Sequence, residues 1–160
     1  MEPSSHPLSR AIARRRRERE ALLALAGEYV ETLSARLPVD AAAVIGSVAR
    51  GDFNRWSDVD VVILSEALPD RLPERLELLF RDRPPKVEPW AFSASEVRAL
   101  SARGDPRARE LATDGVVLRG EARLSELLGA QRRSSADTST GGASNSGLTD
   151  SPRPKPSSSR

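Results

Sequence analysis

The stretch Val44–Leu64, "VIGSVARGDFNRWSDVDVVIL", sets a glycine–serine pair directly after one apolar run and two aspartates, Asp58 and Asp60, at the head of another. Short apolar runs bounded by turn residues read as buried strands. "AAAVI", residues 41–45, is then a first strand stopped by Gly46, and "DVDVVIL", residues 58–64, a second. Strand side chains alternate, so Asp58 and Asp60 share one face while Val59, Val61 and Ile63 take the other. Neighbouring carboxylates repel, which makes the pair unfavourable unless cations lie between them. Their oxygens suit hard divalent ions, magnesium in particular, which binds one or two carboxylates together with substrate phosphates and water. An isolated Asp-x-Asp is commonly a strand cap and nothing more. Gly46 and Ser47 change that reading: glycine lets the backbone approach a bulky anion with no Cβ in the way, the serine adds a hydroxyl, and a following helical turn presents free N–H groups.

The bulk properties limit the alternatives. A chain of 160 residues is enough for one domain with a real core. With only 4% aromatic residues, that core must be built from Val, Leu, Ile and Ala. No apolar run is long enough to span a membrane, and "MEPSSHPLSRAIARRRR" lacks the apolar centre of a secretory signal, which points to a cytoplasmic address. There is no cysteine, and the single histidine, His6, lies in a Pro/Ser-rich end, so thiolate metal sites and histidine-based triads are disfavoured. Lys86 and Lys155 are the only lysines among 25 basic residues; the rest are arginine, suited to two-pronged contacts with phosphate or carboxylate.

Along the chain, residues 1–9 read as a flexible segment and 10–129 as the folded domain. A helix is expected over 9–37, with Leu22, Ala26, Tyr29 or Val30, Leu33 and Leu37 as its apolar stripe and Pro38 as its stop. Its arginine-rich first half, Arg14 to Glu20, is expected to be a solvated face, with contact to a partner or nucleic acid the lesser alternative. "LPERLELLF" fits a helix with Asp70 as cap, "KVEPWAF" a third strand, and Ser93 with Glu96 a capping box opening another helix. Pro89 restricts the third strand to an edge or an irregular pairing. "ARELA", "GVVLRG" and "ARLSELLG" add a short helix, a strand and a last helix. Residues 130–160, rich in Ser, Gly and Pro, cannot bury enough surface to order and read as a disordered tail.

The string Gly46-Ser47, ten residues, Asp58-Val59-Asp60 resembles the signature of polymerase β-like nucleotidyltransferases, and "GSVARGDFNRWSDVD" looks most like their minimal form. The resemblance implies an α/β (α+β) fold with a small mixed sheet flanked by helices. It also implies two magnesium ions and transfer of a nucleoside monophosphate, AMP from ATP being the expected case, with loss of pyrophosphate. The pattern calls for a third carboxylate on a neighbouring strand, matched by Glu88, where many relatives carry aspartate. Metal ligation and catalysis are thus expected of Asp58, Asp60 and Glu88, and phosphate contact of Gly46 and Ser47. Arg50 reads either as a further phosphate contact or as an ion pair holding the loop, and Trp90 as core rather than as a stacking platform. Minimal members of this family commonly act beside a HEPN protein as antitoxins, in some cases by adding AMP to it, so such a partner is implied. Two other readings stay open: a transferase acting on small molecules such as aminoglycosides, and an antitoxin that works by binding alone.

Overall fold

The computed structural model describes residues 6–129; the expectations for 1–5 and for the tail from 130 onward lie outside the described residues. The chain runs α1 (Pro7–Ser34), β1 (Ala41–Ile45), α2 (Gly46–Arg50), β2 (Val59–Leu64), α3 (Leu72–Phe80), β3 (Val87–Phe92), α4 (Ala94–Ala102), α5 (Pro106–Thr113) and β4 (Val116–Arg119), followed by a helix α6 over 121–129. The strands form one mixed sheet in the order β3-β2-β1-β4, with β1 antiparallel to β2 and β4, and β2 parallel to β3. Among the described residues no helix is long and apolar enough to cross a membrane.

Both central strands are covered on two sides, which explains why their sequences are apolar almost without a break. On one face Ala42, Val44, Val59, Val61 and Ile63 pack with Ala26, Tyr29, Val30 and Leu33 of α1 and Leu79 of α3. On the other, Ala41, Ala43, Ile45, Val62 and Leu64 meet Val97 of α4, Leu111 of α5, and Leu124 and Leu127 of α6. Each fully buried Val or Leu contributes about 1.5–3 kcal/mol of transfer free energy. Tyr29 ties α1 to α3 by donating its hydroxyl to the Leu79 carbonyl at 2.9 Å. Burial pushes that phenol up to about 12, against the opposing pull of Arg36 and Arg83.

Several expectations hold: the capping box of Ser93 and Glu96 opens α4, and β3 is an edge strand. The ladder shows why Pro89 is tolerated there. Val59 N–H donates to the Lys86 carbonyl at 2.7 Å and Ser65 N–H to Phe92 at 3.1 Å, so even-numbered residues of β3 face β2 and odd-numbered ones face outward. Pro89 therefore lacks an N–H that β2 would not have used. Three outward groups beside it are engaged: Val87 N–H donates to Pro84 (2.9 Å), while the Val87 and Ala91 carbonyls accept from Arg83 (2.6 Å) and Arg75 (3.5 Å).

Other expectations are corrected. The first helix ends at Ser34, three residues early, and Leu37 is buried in the turn beyond it, its N–H bonded to the Leu33 carbonyl. Arg71, not Asp70, occupies the cap of α3, and it makes no side-chain cap bond.

The arginine-rich half of α1 is only partly a solvated face. Arg14 with Glu18 and Arg16 with Glu20 form exposed pairs, as the i,i+4 spacing allows. Arg19, however, donates to the carbonyls of Val48 (2.8 Å) and Ala49 (2.5 Å), and Arg15 to those of Gly51 (3.0 Å) and Phe53 (2.6 Å). These carbonyls lie at and just after the end of α2, where a helix leaves acceptors unsatisfied. Two arginines of one helix thus hold the short helix that follows β1. Arg19→Ala is expected to cost about 1–3 kcal/mol in urea unfolding, because part-buried carbonyls lose their donors. Exposed Arg17→Ala should stay within about 0.5 kcal/mol, and equal midpoints for the two variants would refute the bracing role.

Candidate active site

The site is built where β1 ends. Gly46 follows Ile45, and its φ of +72° is a conformation that side chains with a Cβ rarely adopt. A Cβ placed there would come 2.8 Å from Oδ2 of Asp60. The reason is register: Ile45 is the partner of Asp60 in the β1–β2 pair, so the turn after β1 passes over the head of β2. Ser47 is the second residue of α2, and its carbonyl accepts from the N–H groups of Gly51 (2.8 Å) and Asp52 (3.1 Å). Gly51, at φ +87°, ends α2 in the left-handed conformation.

Asp58 is exposed just before β2, and Asp60 is half-buried on the face opposite Val59 and Val61. Burial raises the pKa of Asp60 above the ordinary carboxylate value. The indole of Trp90 opposes this, while the charges of Glu110 and Asp58 add to it and Arg50 lowers it. Glu88 is the register partner of Asp60 in the parallel β2–β3 pair, so strand geometry sets it on the same face. Its carboxylate lies 3.8 Å from Arg83. Among the described residues no group of three or more His, Cys, Asp or Glu side chains is gathered closely enough to hold a metal ion. The sheet thus pairs Asp60 with Ile45, the residue before Gly46, on one side and with Glu88 on the other, without closing the three carboxylates into one cluster.

Of the two readings of Arg50, the ion pair is what the structure contains: Nε lies 3.4 Å from Asp52 and Nη1 3.2 Å from Glu110. Glu110, in α5, connects this arginine to the surroundings of Asp60, and no local sequence signal marks it because fifty residues separate the two carboxylates. Trp90 does more than pack beside the second core: its Nε1–H donates to Oδ1 of Asp60 at 3.4 Å. Alternation along β3 had already set it on the face of Glu88, which is the signal from which that contact could have been read.

A bound divalent cation fits this chemistry. The donors are hard carboxylate oxygens, that of Asp60 partly desolvated and repelled by Asp58 and Glu110, and residue 46 sets no Cβ against its Oδ2.

Residues 27–97 match the family model of the nucleotidyltransferase domain, a segment from α1 to α4 that contains Gly46, Ser47, Arg50, Asp58, Asp60 and Glu88. A comparison with curated proteins gives no match. Among solved structures, a candidate nucleotidyltransferase from Sulfolobus solfataricus superposes with a TM-score of 0.50 at 22% identity, over 64% of this chain and 84% of its own. A toxin–antitoxin structure determined with AMP-PNP gives 0.48 at 20% identity, over 70% of this chain and 87% of its own. The four-stranded mixed sheet with helices on both faces is the nucleotidyltransferase fold.

Proposed function

We propose that this chain moves a nucleoside monophosphate, AMP, from ATP to a hydroxyl on a partner protein, with release of pyrophosphate. The observation that carries the reading is the contact between the glycine turn and the aspartate strand: Gly46 leaves free the space that a Cβ would fill against Oδ2 of Asp60. A backbone turn able to approach phosphates thus sits over a carboxylate able to hold a cation. The match of residues 27–97 supports the same reading.

Asp58 and Asp60 are the residues that would hold magnesium, with Glu88 as the third carboxylate beside them. When bound, the metal offsets charge on the phosphates and steadies the leaving pyrophosphate. Gly46 and Ser47 orient the β- and γ-phosphates through backbone N–H groups and the serine hydroxyl, so that the α-phosphorus faces Glu88. Glu88 accepts the proton of the attacking hydroxyl. A phosphorus–oxygen bond forms to the acceptor as the bond to pyrophosphate breaks, and positioning supplies most of the catalysis.

The acceptor is assigned to a second protein because the family resemblance points to a partner of the HEPN class. The test is to incubate the chain and its co-purifying partner with magnesium and ATP, then weigh both. A gain of about 329 Da per AMP on the partner is expected. Binding and silencing of the partner with no gain from any of the four ribonucleotides would replace transfer by an antitoxin that acts through binding alone.

A further inference from the structure

The two oxygens of the Asp60 carboxylate have different neighbours. Oδ1 accepts from Trp90 Nε1 at 3.4 Å, whereas Oδ2 faces the bare Cα of Gly46. The indole is itself held. The guanidinium of Arg107 lies over its ring, 4.4 Å from the centroid. That guanidinium is also held along its edge by Asp105, Nε to Oδ1 at 3.1 Å and Nη2 to Oδ2 at 3.2 Å. Asp105 in turn caps α5, accepting the Arg107 N–H at 3.0 Å. A continuous line of contacts therefore runs from a helix cap to one oxygen of the candidate site. Neither the glycine turn nor the aspartate pair requires any of its three outer members.

The arrangement has a chemical consequence. A cation over the ring face draws electron density from the indole, which makes its N–H a better donor. A half-buried carboxylate engaged on one oxygen has lost one rotational alternative and presents the other oxygen in a fixed direction. Outer partners of this kind orient metal-binding side chains in many sites.

We propose that Trp90 is a positioning residue for Asp60: its N–H occupies Oδ1 and leaves Oδ2, on the Gly46 side, as the oxygen offered to a divalent cation, while Arg107, anchored by Asp105, fixes the angle of the indole. The inference rests on the metal-site reading given above.

The chain has two tryptophans, so a 15N spectrum contains two indole N–H signals, and Trp56→Phe assigns them. Trp56 is 80% exposed and serves as the internal reference. Titration of the native chain with magnesium is expected to shift the Trp90 signal saturably and leave Trp56 in place; Asp60→Asn should abolish the shift. Trp90→Phe keeps a ring beneath Arg107 but removes the donor. It should weaken Mn2+ binding, followed by electron paramagnetic resonance, by about tenfold. Arg107→Gln, which keeps the donor and loosens its angle, should give a smaller loss. A Trp90→Phe variant that binds Mn2+ within twofold of the native chain, while Asp60→Asn does not bind, overturns the inference and leaves the metal site standing. Unchanged Mn2+ binding by Asp60→Asn overturns both. Where Trp90→Phe does not fold, the native titration decides, and a Trp90 signal unmoved at saturating magnesium counts against the proposal.

Discussion

Asp60→Asn is expected to lower nucleotidyl transfer by about 10³-fold, the scale on which loss of one electrostatic stabiliser acts in a partly desolvated site, while leaving the fold intact. The amide has nearly the shape of the carboxylate, and its oxygen can still accept from Trp90. What disappears is the charge. Burial already disfavours that charge, and Asp58 and Glu110 repel it, so the folded protein loses little by its removal and the melting temperature should hold or rise. A stability change and an activity change are thereby separated in one variant. The reading to make is the AMP-transfer rate at saturating magnesium and ATP beside a thermal melt. Residual activity above a tenth of native, in a protein that melts normally, would remove Asp60 from the reaction. Asp58→Asn should lower transfer as well.

Gly46→Ala should damage the fold and the candidate site together. The left-handed conformation alone costs roughly 1–2 kcal/mol for a residue with a Cβ. The new methyl would also sit 2.8 Å from Oδ2 of Asp60, closer than such contacts occur, so either the turn or the carboxylate must move. Activity and stability should therefore fall together, unlike in the aspartate variant. Gly27→Ala is the matched control: it lies within α1 with nothing within 4 Å of an added Cβ, and alanine there should stabilise by about 0.5–1 kcal/mol. Urea midpoints for the two substitutions should move in opposite directions. A Gly46→Ala protein with native midpoint and native transfer would show that neither the turn nor its closeness to Asp60 matters.

These outcomes depend on features that differ in how far the sequence discloses them. Local rules suffice for the parts that are local. "AAAVI" and "VDVVIL" are strands because short apolar runs buried on both faces have no other economical structure, and Ser93 with Glu96 caps its helix through atoms three residues apart. The Gly46–Asp60 contact is one step less local, yet it follows once the two strands pair antiparallel. Asp70 misled because a capping side chain near a helix start competes with its neighbour, and Arg71 holds the cap position. The arginines of α1 show the limit more sharply. Arg14 and Arg15 are alike as letters, but one pairs with Glu18 on the exposed surface and the other reaches the carbonyls of Gly51 and Phe53. Which does which is decided by where a helix lies against a sheet. Glu110 and Arg107 meet the site in the same way, through the packing of α5, and their spacing to Asp60 carries no periodic trace.

The closed rim of β3 bears on how this protein can assemble. An unoccupied strand edge is a template on which a foreign strand, or a second copy, can extend the sheet. Here residue 89 has no N–H to give, the Val87 N–H is spent on Pro84, and arginines 83 and 75 sit on the carbonyls of Val87 and Ala91. A passing strand would find one donor missing and two of the outward acceptors, on Val87 and Ala91, already engaged. Growth of the sheet from the side nearest Glu88 is thus hindered, which favours an approach by side chains over one by backbone. For the proposed transfer to a partner's hydroxyl, that restriction disfavours self-association by strand pairing beside Glu88.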